Sequence, residues 1–205
     1  MLAKMSVVDF LDETASNSPV PGGGSIAALS AAFSAALAQM VGNLTIDKKG
    51  YEQVQEEVKS VAKKANKLKS IFVDYIDKDA DSFNEVMNAF KLPKDSDEKI
   101  EYRKNTIQEA TKKASLVPLD VAREAYKMMD IIKVVVENGN KNAITDAAVA
   151  TMLARTAVLA ALYNVKINLS MIKDAQFVES VAQEVSKLET DVKLKEEEIL
   201  SKIAL

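Results

Sequence analysis

Whatever chemistry this chain performs is done without histidine and without cysteine, since neither occurs among its 205 residues. That removes the commonest general base, the commonest transition-metal ligand and the thiolate nucleophile. Carboxylates, lysines, tyrosines, hydroxyls, amides and backbone dipoles remain, and no metal-ligating set is expected. The densest group of carboxylates is Asp74, Asp77, Asp79 and Asp81. On a helix, Asp74, Asp77 and Asp81 share one face by three- and four-residue spacing. Asp79 points elsewhere, toward Ile76, Phe83 and Val86. A carboxylate aimed at an apolar side is expensive to ionise. As chemistry, it is a proton-transfer group with a raised pKa. As structure, the run is a solvated acidic face.

A second candidate is the stretch Pro19-Val20-Pro21-Gly22-Gly23-Gly24-Ser25. Pro19 and Pro21 fix φ and hold the approach extended. Three consecutive glycines pack nothing and suit a sharp turn or a close approach. Ser25 follows as N-cap or first-turn residue of a helix. A glycine-rich turn opening a helix offers free N–H groups and the positive end of the macrodipole to an anion; the alternative is a tight turn with no ligand. The pattern is neither a Walker loop nor a G-x-G-x-x-G fingerprint, and no strand precedes it. Lys48 and Lys49, just before Gly50, make either a solvated basic turn or a cationic patch for an anionic ligand tail.

The elements that must position these residues read as helices throughout. Ser6 to Ala15 is a short helix with Val8, Leu11 and Ala15 on its apolar face. From Ser25 to Leu44 no residue is charged. Ile26, Leu29, Phe33, Leu37, Met40 and Leu44 mark one stripe and alanine and serine fill the rest. Such a helix is buried all round, and its length would also span a bilayer. Its alanine content and the lack of basic residues on its N-terminal side favour a central helix against which neighbours, a second subunit among them, pack closely. Glu52 to Phe90 is one long helix or two broken near Asp77. Asp95 and Glu98 resemble a capping box for the next helix. That helix is expected to be kinked or interrupted at Pro118 near Ser115, resume at Leu119, and end at Gly139 in the left-handed region. Thr145 or Asn142 caps a second alanine-rich helix containing Arg155. Asn164 to Asn168 reads as a short connection. Asp174 to Leu205 is a long amphipathic helix whose Lys193 to Glu198 end is a solvated face. The expectation is an all-α, single-domain chain over 1–205, an antiparallel bundle of long helices around alanine-rich central ones. A net charge of -3 argues against a nucleic-acid partner. Met1 to Phe10 lacks the pattern of a signal peptide, so a cytoplasmic protein without a membrane role is expected.

Taken together, these motifs resemble the formiminotetrahydrofolate cyclodeaminase and methenyltetrahydrofolate cyclohydrolase family. The resemblance runs over nearly the whole chain. It rests on Pro21-Gly22-Gly23-Gly24-Ser25 opening an alanine-rich helix, Met40-Val41 then Leu44-Thr45, and Lys48-Lys49 before Tyr51. It continues through Asp79-Ala80-Asp81-Ser82-Phe83, Leu92-Pro93, Arg103, Gln108 and Val117-Pro118-Leu119. Gly139-Asn140, Thr145-Asp146 and Asn164-Val165-Lys166-Ile167-Asn168 complete it. Each piece is short; their order and spacing together are specific. Thr145 departs from the family's usual serine but keeps a hydroxyl.

The resemblance implies a homodimer of all-α subunits with a folate site beside the glycine turn. It places the family's proton acceptor, the aspartate of an Asp-x-x-x-Phe segment, on Asp79. A tetrahydrofolate derivative would be the substrate, with no permanently bound cofactor. The formiminotransferase half is not in this sequence, so the chain is not expected to load the formimino group. The glutamate tail of folate would meet Lys48 and Lys49 or the N–H groups of Gly22, Gly23 and Gly24. The pterin would be read by Asn164, Asn168, Asp146 and Gln108. Cyclodeamination of 5-formiminotetrahydrofolate is the expected reaction, and hydrolysis of the 5,10-methenyl compound is the alternative. A helical dimerisation module without catalysis, or a family member that binds folate without turning it over, are readings of other kinds.

Overall fold

Alanine, glycine and serine carry one helix into the centre of the molecule. The computed structural model describes residues 1–204. Its helices are α1 (Val7–Thr14), α2 (Gly23–Asn43), α3 (Gln55–Phe90), α4 (Asp97–Asn138), α5 (Ile144–Leu169) and α6 (Ala175–Leu200). Short 3-10 turns at Leu2–Lys4, Glu52–Val54 and Lys141–Ala143 join or precede them. α2 lies between α3 and α5, α4 backs onto α2, α3, α5 and α6, and α6 closes the α5 side. The long helices form the expected all-α bundle.

The small face of α2 is the one that is buried. Ala27, Ala28, Ala31, Ala35 and Ala38 are inaccessible, while Phe33 is 50 %, Met40 37 % and Leu44 49 % exposed. The large apolar stripe is therefore divided: Ile26, Leu29 and Leu37 pack half-buried against the core, and Phe33, Met40 and Leu44 face outward. Small side chains let neighbouring backbones approach: a Cβ on Gly42 would lie 3.0 Å from Ala62 Cβ on α3. On the other flank, Ser34 Oγ donates to the Ala150 carbonyl of α5 at 2.8 Å. α5 repeats the pattern, burying Ala147, Ala150, Ala154, Ala157 and Ala161 while Val149, Met152, Tyr163 and Ile167 stay exposed. α2 and the segment 141–169 each have the length and apolarity of a membrane span, and each has its small-residue face in the bundle.

Several local expectations are corrected. α1 is capped by Ser6, whose Oγ accepts from Asp9 N, but it buries Phe10 and leaves Val8 and Leu11 exposed. α3 runs unbroken past Asp77. The N-cap of α4 is Ser96, accepting from Lys99 N, one residue beyond Asp95. α4 passes through Pro118 without a break. A proline cannot donate to the carbonyl four residues back, and that carbonyl, on Ala114, instead accepts from Asn168 Nδ2 at 3.0 Å. Gly139 is extended, with φ -81° and ψ 172°, not left-handed. It is required by crowding, since a Cβ there would lie 2.2 Å from Val135 O and 2.8 Å from Val41 Cγ1. The turn before α5 is capped by Asn140, and neither Asn142 nor Thr145 caps α5. Asn164 to Asn168 is the last part of α5. The charged end of α6 is not merely solvated: Lys195 pairs with Asp130, Glu196 faces Arg155 at 3.3 Å, and Glu198 pairs with Lys133.

Candidate active site

α2 begins without a capping side chain of its own. Gly22 is extended at the N-cap position and can offer no side chain. The first N–H groups of α2 then need an acceptor from elsewhere, and Asp79 of α3 comes to this end. A Cβ on Gly24 would lie 2.0 Å from Asp79 Oδ1 and 2.6 Å from Oδ2. The glycine thus admits the carboxyl against the helix end. Ser25, fully buried, brings its Oγ to 3.1 Å from Asp79 Oδ2 and 2.9 Å from the Ile76 carbonyl. The helix end that the triple glycine was expected to offer to an anion is occupied by a side chain of the same chain.

Asp79 closes one side of a cavity of about 400 Å³ bounded by the glycine turn, α3, α4 and the end of α5. Pro19, Val20, Phe83, Val86, Met87 and Phe90 give it an apolar wall, and Ala114, Ile167 and Met171 face it from α4, α5 and the turn after α5. Among the described residues Asp79 is the only titratable side chain lining it. Burial pushes its pKa above the ordinary carboxylate range, and the hydroxyl and backbone N–H of Ser25 draw it partly back. This is the pattern of a carboxyl suited to take and return a proton. In a larger groove of about 800 Å³ between α3 and α4, Glu85 and Lys113 pair with each other at 2.7 Å beside Tyr102 and Thr106.

The remaining candidates divide between two ends of the bundle. Gly22, Gly23, Gly24, Ser25, Asn164 and Asn168 gather at the cavity with Asp79, and Pro21 lies buried beside them after a cis Val20–Pro21 bond where an extended approach was expected. Asn164 Nδ2 donates to the Ala160 carbonyl at 2.9 Å, which leaves its Oδ1 as an acceptor. The Asn168 amide N–H is engaged by Ala114. Gln108 stands at the rim, its Nε2 donating to Met171 O and its Oε1 accepting from Lys173 N, so its amide holds the α5–α6 turn. Lys48, Lys49 and Asp146 are at the opposite end. The 21 residues of α2 separate the lysines from the glycine turn, about 30 Å at 1.5 Å per residue. Asp146 is in the first turn of α5 and Asn164 near its last. One chain does not bring the two groups together. Sequence reasoning missed the apolar wall of Met87, Phe90, Ile167 and Met171. Its signal was there: Phe83, Val86 and Phe90 follow Asp79 at helical spacing, and Phe90 and Ile167 remain 42 % and 63 % exposed.

Comparison with known proteins matches residues 6–187 to the model of the formiminotransferase-cyclodeaminase family. A methenyltetrahydrofolate cyclohydrolase of Methylorubrum extorquens is 40 % identical over 188 residues, covering 92 % of this chain and 90 % of that protein. The formimidoyltransferase-cyclodeaminase of Rattus norvegicus is 31 % identical over 192 residues, which is 94 % of this chain but 36 % of the rat protein. The crystal structure of formiminotetrahydrofolate cyclodeaminase from Thermotoga maritima superposes with a TM-score of 0.89 at 30 % identity, covering 99 % of this chain and 98 % of that one.

Proposed function

Because the chain belongs to the formiminotransferase-cyclodeaminase family, we propose that the Asp79 cavity binds a tetrahydrofolate and transforms the one-carbon unit held between N5 and N10. The observation that carries this reading is Asp79 itself, a largely buried carboxyl and the one titratable side chain among the described residues that line an apolar cavity. The flat faces of a folate head suit a wall of Phe83, Val86, Met87 and Phe90. Asn164 Oδ1 supplies an acceptor for a pterin N–H.

Hydrolysis of 5,10-methenyltetrahydrofolate is the reaction we assign first, on the strength of the 40 % identical relative of nearly equal length that bears that name. The ionised Asp79 takes a proton from water as the water oxygen bonds to the amidinium carbon. The tetrahedral centre then collapses: the carbon–N5 bond breaks, Asp79 returns its proton to N5, and the hydroxyl proton leaves to solvent as the formyl group forms on N10. Cyclodeamination is the second reading, supported by the Thermotoga maritima structure. There N10 attacks the formimino carbon, Asp79 carries the N10 proton to the amino group, and ammonia leaves with one further proton taken up. Both routes pass through one tetrahedral carbon, so one carboxyl serves either.

The anionic glutamate tail finds no cation among the cavity residues. The exposed stripes of α2 and α5, Phe33, Met40, Leu44, Val149, Met152 and Tyr163, lie on two adjacent helices, both backed by α4. Joining this face to a second copy, with the two-fold axis across the helices, would place Lys48 and Lys49 of the partner subunit near the cavity mouth. A homodimer with shared sites is therefore part of the proposal. The test follows absorbance in the methenyl-folate band. Accelerated decay of methenyltetrahydrofolate supports the hydrolase, and growth of the band with ammonia release from 5-formiminotetrahydrofolate supports the deaminase. Silence with both compounds would sink the enzymatic reading.

A further inference from the structure

The Ser25 hydroxyl has one hydrogen and two oxygen neighbours, the Ile76 carbonyl at 2.9 Å and Asp79 Oδ2 at 3.1 Å. It cannot donate to both at full strength. The Ile76 carbonyl can only accept, and it has a lone pair to spare beside its bond within α3. Asp79 can accept when ionised and donate when protonated. When the hydroxyl donates to Ile76, its lone pairs face Asp79, an arrangement that is repulsive against a carboxylate and favourable against a carboxylic acid. We propose that Ser25 is a positioning residue whose hydroxyl follows the Asp79 proton, donating to the carboxylate and, once Asp79 is protonated, accepting from it while turning its own hydrogen to Ile76.

The surroundings leave this task to Ser25 alone. α2 carries no charged residue, and no charged side chain acts on Asp79. From α3, Ser82 Oγ donates to the Asp79 backbone carbonyl at 2.8 Å, not to its carboxyl. From α5, the Nδ2 groups of Asn164 and Asn168 are held by Ala160 and Ala114; from α4 and the approach loop come only Ala114, Pro19 and Val20. A base that becomes an acid within one turnover would ordinarily shift to new partners between steps. Here the same hydroxyl, immobilised at zero exposure, holds the carboxyl against α2 in both states, so no reorganisation stands between proton uptake and proton return.

The inference rests on the proposed acid–base role of Asp79, and its test separates the two. The pH dependence of kcat is measured for the parent, Ser25→Ala and Ser25→Thr. Losing both the donor and the acceptor role lowers the plateau about tenfold, the scale of one hydrogen bond. The two losses oppose each other in the midpoint, which moves less than about half a unit. Ser25→Thr, which retains the hydroxyl, recovers the plateau. A midpoint raised by a unit or more with the plateau intact would make Ser25 a fixed donor and overturn the proposal. So would a profile that does not change at all. Infrared titration of carbon-13 aspartate-labelled protein needs no turnover. The protonated Asp79 carbonyl band, assigned by its loss in Asp79→Asn, should change frequency in Ser25→Ala while its midpoint holds. If Asp79→Asn kept full activity, the functional reading would fail, yet the infrared band would still decide the role of Ser25.

Discussion

Gly24→Ala is the sharpest perturbation of the site, because the atom it adds has one place to go. The new Cβ would lie 2.0 Å from Asp79 Oδ1, 2.5 Å from Cγ and 2.6 Å from Oδ2, whereas ordinary contact begins near 3.4 Å. The backbone is helical at this position, so alanine itself is unstrained and contributes up to ~1 kcal/mol of helix propensity. The carboxyl has to retreat by roughly 1 Å or more, away from the α2 end and out of reach of Ser25, and a misplacement of that size costs on the order of 100-fold in rate. Retreat also removes the Ser25 backbone N–H, which can stabilise only the ionised carboxyl and so lowers the Asp79 pKa. The midpoint of the acid limb should therefore move up as the plateau falls. The assay is kcat against pH on the methenyl compound, with thermal melts to show that the fold is kept. Gly23→Ala is the graded comparison. Its Cβ would meet Asn164 Nδ2 at 3.1 Å, a side-chain amide that can yield by tenths of an ångström, and a much milder loss follows. A Gly24→Ala enzyme with more than half the parent turnover would refute the claim that Asp79 works from its seat on α2.

Three further outcomes are expected. Asp79→Asn should lower turnover by about 10²- to 10⁴-fold, the range for a general acid–base group, while raising thermal stability at neutral pH. The folded pKa of Asp79 lies above its unfolded value, so ionisation opposes folding, and stability present below the unfolded value is lost as pH rises through the folded one. The asparagine advantage should accordingly vanish in acid, and melts from pH 3 to 8 check the sign. Phe33→Glu, which puts a charge on the exposed stripe, should give a monomer by sedimentation and a large rise in KM if the partner subunit holds the folate tail. Asn168→Leu leaves the Ala114 carbonyl without its donor, at about 1–3 kcal/mol. Pro118→Ala in that background restores a backbone N–H and should return part of the loss in denaturant melts.

The bundle was legible because charge and apolar periodicity mark long helices plainly: spacing alone picks out Val58, Val61, Ala65 and Phe72 on α3 and Val181, Val185, Leu188, Val192 and Ile199 on α6, and all of these are buried. α2 inverted the usual inference. Period alone selects the large residues as the buried face, but Ala27, Ala31 and Ala38 are the ones inside, because closeness to α3 and α5 favours the smallest side chains and leaves Phe33 and Leu44 for another surface. Breaks were overpredicted for a related reason. Pro118 interrupts a helix only if its orphaned carbonyl stays orphaned, and Asn168, fifty residues on, takes it up. Local sequence has no means of showing such a distant donor.

The two sharpest signals in the sequence are a single feature in space. A glycine turn opening a helix calls for an anion, and Asp79, aimed at an apolar side, calls for something to stabilise its charge. Read separately, each leaves a bland alternative open. In the fold each answers the other: the α2 end takes the carboxyl as its missing cap, and the glycines are the gap through which it approaches. This changes what the glycine N–H groups can do for a ligand. With Asp79 seated there, that end of the cavity is already negative whenever the carboxyl is ionised. An anionic folate tail is then repelled from the glycine turn, whereas a cationic methenyl carbon is drawn to it. In the proposed complex the tail turns away from Asp79, toward cations outside the cavity lining: Arg103 of the same chain, held against the Phe90 ring, or Lys48 and Lys49 of a second chain, which lie about 30 Å along α2 within one chain. Under the proposed function, the charge of Asp79 orients the substrate as well as moving its proton, and the tail is left for cations beyond the glycine turn.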